Sequence, residues 1–231
     1  MKHIAHCSSS VDAIICLKGQ APSMTLIELF ADVPIIAADG AANLLHHLDV
    51  LPEYVVGDLD SVLPEVLNAM RGTSEIVVEA DQDVNDFEKA LRFAQQMLWH
   101  RVLVTGIHGG DLEHTLNNWS VLMRYGLNMD IMAIDGQRIG IPLYANTSYQ
   151  SEMDEIVSLI PQPEATLTTR GLAWPLTQES LTLGVREGAR NRSTGERVEL
   201  EIHSGAVFVF VDARLPLLPA AIQPAILQDE S

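Results

Sequence analysis

EYVVGDLDSV (residues 53–62) and ADQDVNDFEKAL (residues 80–91) decide the fold, because in each an apolar run delivers a cluster of acids. Tyr54, Val55 and Val56 suit a buried strand, Gly57 permits a sharp exit, and Asp58 and Asp60 then project near one another. In the second stretch Asn85 is a good N-cap and Glu88 stands three residues on, in the capping-box position. Phe87, Ala90, Leu91, Ala94, Met97 and Leu98 then recur at the spacing of one buried helical face. Any one of these acids would be ordinary in a loop or a helix first turn. Together, Asp58, Asp60, Asp81, Asp83 and Asp86 follow strand-like runs at two places, and neighbouring strand ends would crowd their charges unless a cation neutralised them. Hard oxygen ligands of this kind suit Mg²⁺, which binds one or two carboxylates and completes its octahedron with water and phosphate oxygens.

Working outward, strand-like runs occur at 13–17, 34–38, 54–56, 75–79, 102–106 and 129–134, with helix-like patterns at 25–30, 42–48, 64–70, 87–98 and 115–125. This alternation predicts a doubly wound α/β domain with a parallel sheet, whose ligands sit at the carboxyl ends of the strands. From Glu155 the pattern changes: EIVSLIP, ATLTTRGL, ESLTLG, RVELEIHSG and AVFVFVD are short, β-rich and separated by turn residues. They predict a second, all-β domain of sandwich or jelly-roll type. The expected division is 1–147 and 148–231, with a linker over 145–154. The tail after Asp212, with Pro216, Pro219 and Pro224, is expected to be partly disordered or draped over the surface.

A chain of 231 residues can bury the core of one large domain or two small ones. Its formal net charge of −17 argues against a nucleic-acid partner, which needs clustered Lys and Arg, but not against a nucleotide whose charge is met by metal ions. Cys7 and Cys16 make no disulfide framework, and MKHIAHCSSS is broken by polar residues before an apolar signal core could form; both point to the cytoplasm. No run approaches the roughly 20 apolar residues of a membrane span.

Two further stretches place backbone N–H groups at a strand-to-helix turn, where a phosphate or ribose can sit. These are AADGAANLL (37–45) and VTGIHGGDLEHTLNN (104–118); the second adds Gly106, Gly109, Gly110 and the polar cluster His114, Thr115, Asn117 and Asn118. His46, His47, His108 and His114 lack the paired spacing of a zinc site. Trp174, beside Pro175 in the β region, reads equally as core or as an aromatic wall for a flat ligand.

In this order the motifs resemble those of the thiamine pyrophosphokinase family. Its Asp-Gly-Gly-Ala-Asn, Gly-Asp-Phe-Asp-Ser, Asp-Gln-Asp-x-Thr-Asp-Phe-x-Lys and Gly-Gly-Arg-x-Asp-His stretches correspond here to 39–43, 57–61, 81–89 and 109–114. Gly171, Leu172 and Trp174, and more loosely Arg190 and Asn191 where the family has Ser-Asn, extend the likeness over about residues 13–211. The resemblance implies transfer of diphosphate from ATP to thiamine with Mg²⁺, release of AMP, and a homodimer with thiamine held between subunits. It implies that Asp58, Asp60 and Asp86 hold the metal with Asp81 and Asp83 in support, and that Lys89 assists at the phosphates. Asp39, Gly40, Asn43, Ser61, Gly109, Gly110 and His114 would line the nucleotide, and Gln82, Trp174 and Asn191 would face thiamine. An aromatic face at Trp174 suits a flat cation.

The departures are Ala41 for Gly, Asn85 for Thr, Asp111 for Arg and Glu113 for Asp. A carboxylate in place of a guanidinium near phosphates leaves open an acceptor such as a hydroxymethylpterin, or a non-catalytic thiamine or nucleotide sensor. Within the enzyme reading, Asp111 is expected to turn away from the nucleotide, to bind Mg²⁺, or to pair with Arg124 or Arg138.

Overall fold

The structure is a computed structural model; it describes the backbone of residues 2–4, 6–7, 11–215 and 218–219, and the side chains of 11–215. In chain order the elements are β1 (Lys2–Ile4), β2 (His6–Cys7), β3 (Ala13–Cys16), α1 (Met24–Leu29), β4 (Ile35–Ala38), α2 (Ala41–His47), β5 (Tyr54–Gly57) and α3 (Pro64–Met70). Then come β6 (Glu75–Val78), α4 (Asp86–Gln96), β7 (Arg101–Thr105), α5 (Leu112–Tyr125), β8 (Asp130–Asp135), β9 (Arg138–Leu143) and β10 (Thr147–Gln150). The chain continues with β11 (Ile156–Arg170), β12 (Glu179–Thr182), β13 (Gly188–Arg192), β14 (Arg197–Asp212) and β15 (Leu218–Pro219). Contacts divide it into an α/β unit, Ser10–Tyr125 with Ile131–Gly136, and a β-rich unit, Met1–Ser9 with Gly126–Asp130 and Gln137–Ser231.

In the α/β unit the strands lie in the order β8-β7-β3-β4-β5-β6, with β7, β3, β4, β5 and β6 parallel. Parallel strands covered by helices carry continuous apolar runs. Ile14, Ile15, Ile36, Val55, Leu103 and Val104 are accordingly buried. The chain leaves β3 toward β4 on one side, then returns to place β7 on the other. The point where strand order reverses is therefore the pair β3 and β7, and the crevice beyond their carboxyl ends is where such sheets take ligands. The loops at this point touch backbone to backbone: a Cβ on Gly19 would lie 2.1 Å from the His108 carbonyl oxygen, and one on Gly106 would lie 2.3 Å from that of Leu17.

Helix α4 packs against β4 and β5 through Phe87, Ala90, Leu91 and Ala94. The expected apolar face does not extend to Met97 and Leu98. The helix stops at Gln96, Leu98 takes a left-handed φ of 61°, and both side chains are exposed. Phe93 is buried in their stead, in an aromatic cluster with Tyr54 and Trp99.

In the β-rich unit, β14 pairs antiparallel with β9, β10 and β11, while β11 also pairs with β12 and β13. The runs EIVSLIP and ATLTTRGL, read above as separate, are joined in the single strand β11. Its register shifts between Pro161 and Ala165, opposite Gly205 with a φ of 74°. Prolines that cannot donate to a ladder are tolerated at such a bulge. The expected linker contains a strand, because Thr147–Gln150 form β10 between β1 and β14. Beyond Leu215 and the short β15, which pairs with β2, the tail lies outside the described residues, and so does the expectation made for it. Among the described residues no helix is long and apolar enough to cross a membrane.

Candidate active site

A cleft of about 480 Å³ opens at the carboxyl ends of the parallel strands of the α/β unit. Lys18 and Gly19 follow β3, Asp58, Asp60 and Ser61 follow β5, and Gly106, Ile107 and Gly110 follow β7. Gln82, Asn85, Asp86 and Lys89 reach it from the start of α4, Asp111 from the loop before α5, and His114, Thr115 and Asn118 from α5.

Asp39, the residue after β4, takes a left-handed conformation with a φ of 44° and is 1% exposed. Among the described residues no hydrogen bond of good geometry reaches either of its carboxylate oxygens. Burial pushes its carboxyl above the usual range; the charges of Asp86, Asp60 and Asp58 add to this, and the Gly40 N–H offsets only part. One oxygen each from Asp39, Asp58 and Asp60 lies within 4.8 Å of the others. An orphaned buried carboxylate beside two more is costly unless something cationic shares the site. The set fits a hard divalent cation, which takes oxygen ligands of this charge.

Lys89 is the clasp of the cleft. Its Nζ donates to Asp58 at 2.9 Å and to Asp86 at 3.1 Å while the residue is 3% exposed. Burial alone would lower the lysine pKa, but the two carboxylates outweigh it and hold the ammonium above its ordinary range. The bond from Lys89, then that from the Gln82 amide at 2.7 Å, holds the Asp58 carboxyl below its ordinary range. Asp86 thus meets Lys89, while the grouping able to share an ion consists of Asp39, Asp58 and Asp60.

The remaining candidates separate into lining and bracing residues. Ser61 and His114 line the cleft. Asn43, on α2, donates to the Ser61 carbonyl at 2.8 Å and accepts from the Leu63 N–H at 3.0 Å, so it fixes the loop that carries Asp60. Gly40 is the N-cap of α2, and Gly109 lies in the loop before α5 with a φ of 101°. Asp81 pairs with Arg92 at 2.9 Å and accepts from the Asp83 N–H, which shapes the turn into α4. Asn85 caps α4 by accepting from the Glu88 N–H at 2.9 Å. The other half of the expected capping box is absent: the Glu88 carboxylate takes Arg92, Arg124 and Tyr125 instead, tying α4 to α5.

Asp111 lines the cleft. The arginines expected as its partners are engaged elsewhere, Arg124 with Glu88 and Arg138 with Asp212. Lys18 escaped the sequence reading; a lysine-glycine pair directly after the first buried strand was the available signal.

In the β-rich unit, Trp174 and Asn191 line a groove of about 350 Å³ with Leu159, Leu181, Arg186 and Arg190. Asn191 accepts from the Trp174 N–H at 3.1 Å and donates to its carbonyl at 2.7 Å, which fixes the backbone of a residue that is itself 64% exposed.

The family model described as "Thiamin pyrophosphokinase, catalytic domain" matches residues 29–134, and "Thiamin pyrophosphokinase, vitamin B1 binding domain" matches 143–207. Thiamine pyrophosphokinase 2 of Arabidopsis thaliana is 26% identical over 199 residues, which is 73% of this chain and 74% of that protein. Thiamine pyrophosphokinase of Bacillus subtilis (strain 168) is 29% identical over 157 residues, 64% of this chain and 73% of its own. In fold, the chain is similar to thiamin pyrophosphokinase from Candida albicans, with a TM-score of 0.78, 19% identity and 91% and 92% of the two chains covered. The Bacillus subtilis structure gives a TM-score of 0.73 at 22% identity, covering 88% of this chain and all of that one.

Proposed function

The chain belongs to the thiamin pyrophosphokinase family, and from that premise we infer that it is a diphosphotransferase that converts thiamine to thiamine diphosphate. We propose ATP as the donor, AMP as the second product and Mg²⁺ as the metal. The observation that carries the reading is the orphaned, buried Asp39 beside Asp58 and Asp60 at the strand-order reversal of a parallel sheet.

On this reading the α/β region, 1–147, is a doubly wound nucleotide-binding domain, and the β region, 148–231, is a sandwich that takes thiamine on Trp174. A homodimer in the cytoplasm completes the proposal.

Asp39, Asp58 and Asp60 would hold the cation, with Asp86 beside them. When bound, Mg²⁺ supplies positive charge to phosphate oxygens as the β-phosphorus is attacked. The rest is positioning by the chain. Lys89 spaces Asp58 from Asp86 and presents its charge to the same cleft. Gln82 orients Asp58, whose lowered pKa suits it to holding a cation and makes it a poor proton acceptor. Gly106, Gly110 and the start of α5 bring backbone close to the phosphates. Trp174 offers a face to the flat, cationic vitamin, and Asn191 keeps that face in place.

Phosphorus NMR of a reaction containing ATP, thiamine and Mg²⁺ tests the proposal. Thiamine diphosphate and AMP are expected in equal amounts; ADP as the nucleotide product overturns diphosphate transfer.

A further inference from the structure

We propose that Lys18 is a phosphate-binding residue that brings uncommitted positive charge to this acidic cleft. The inference rests on the ATP-dependent reading above and names the residue that recognises the donor.

The cleft presents Asp58, Asp60, Asp86 and Asp111 to a ligand that is itself strongly negative. Of the two lysines that line it, Lys89 is already divided between Asp58 and Asp86. Lys18 is exposed, and among the described residues its ammonium meets no carboxylate. It also occupies the position where a ligand is expected, directly after β3 at the strand-order reversal.

The surrounding backbone is shaped to deliver this side chain. A Cβ on Gly40 would lie 2.7 Å from the Lys18 Cδ and 3.1 Å from both the Lys18 Cε and the Ser61 Cβ, so the lysine stem runs across the bare face of Gly40 into the cleft. On the facing loop, a Cβ on Gly110 would lie 3.5 Å from the Lys18 carbonyl oxygen. Lys18 and Asp111 both line the cleft, the first from the loop after β3 and the second from the loop before α5, and the two loops meet at Gly110 and the Lys18 carbonyl. A lysine ammonium is a compact charge suited to phosphate oxygens, and a flexible stem lets it follow them.

Equilibrium binding of the fluorescent analogue mant-ATP with Mg²⁺, measured for the wild type, Lys18→Met and Lys18→Arg, tests this. Lys18→Met is expected to raise the Kd about tenfold, the scale of a lost charge-assisted hydrogen bond. Lys18→Arg should stay within about threefold of wild type, since its guanidinium also binds phosphate. In turnover assays Lys18→Met should raise the KM for ATP by a similar factor and leave that for thiamine within about twofold. Unchanged mant-ATP affinity in Lys18→Met overturns the proposal, as does an equal rise in both KM values. If mant-ATP binding depends on Lys18 yet the wild type forms no thiamine diphosphate, the phosphate contact stands and the assigned reaction falls. If thiamine diphosphate forms and Lys18→Met binds mant-ATP like wild type, the reaction stands and this inference falls.

Discussion

Gly57 leaves empty the space that Asp39 needs: a Cβ built on it would lie 2.7 Å from the Asp39 Cβ. Its φ is not positive, so the glycine serves here through its missing side chain and not through a special turn. Gly57→Ala is expected to displace Asp39, to destabilise by about 1–3 kcal/mol as overpacking does, and to lower the Tm by roughly 2–10 °C. Turnover should fall at least about tenfold if Asp39 holds the cation as proposed. Calorimetry and a thiamine diphosphate assay check this together; a variant with wild-type melting and activity would show that Asp39 can move freely.

Asp58 and Asp60 should separate in stability though not in activity. Both Asp→Asn changes are expected to remove nearly all turnover. In metal-free buffer Asp60→Asn should leave the Tm unchanged or raise it, because a carboxylate crowded by others is relieved. Asp58→Asn should lower it, because Lys89 is buried and loses one of two counter-charges, a loss on the order of 3 kcal/mol for a buried pair. Equal shifts in the two variants would mean that the lysine clasp contributes nothing to stability.

Asp111→Asn should strengthen ATP binding only modestly. An exposed carboxylate about 4 Å from another negative charge costs roughly 1 kcal/mol in water, so the KM for ATP should fall at most about fivefold. A gain of a hundredfold or more would place Asp111 directly against the phosphates and argue for a less negatively charged donor.

Thiamine should quench tryptophan fluorescence through Trp174, which is 64% exposed, while Trp99 packs against Tyr54 and Phe93. Trp174→Phe should lose most of the quench. Asn191→Ala should keep the quench at saturation but raise the KM for thiamine severalfold, since it frees the Trp174 backbone. Equal quenching in wild type and Trp174→Phe would put the vitamin elsewhere.

The α/β unit was legible because its physics is local. Ile14, Ile36, Val55 and Leu103 sit in short continuous apolar runs, and α4 declares itself through Asn85 and the spacing of Phe87, Ala90 and Leu91. The acids of the site were legible because they follow those strands. What escaped depends on neighbours distant in sequence. Lys18 gains meaning only when β7 is known to lie beside β3, and the Asp39 oxygens are known to be orphaned only when β4 and β5 stand side by side. β13, with the sequence GARNR, has no apolar alternation and exists because β11 offers it a ladder. Thr147–Gln150 looked like a linker for the same reason: its partners β1 and β14 lie at opposite ends of the chain.

The long strand β14 also fixes an order of synthesis. It pairs at Arg197–Leu200 with β10, from Glu199 to Phe210 with β11, and from Val207 to Asp212 with Leu143 to Arg138 of β9, so these ladders are not all closed until the ribosome has passed residue 212. The α/β unit is complete at Gly136. At about 5–20 residues per second it has roughly 4–15 s in which to fold while β9, β10 and β11 emerge with open edges. Those edges are the chain's moment of exposure to pairing with other nascent chains. A ribosome-stalled chain ending before Arg197 is expected to resist protease through the α/β unit and to be cut freely beyond Gln137.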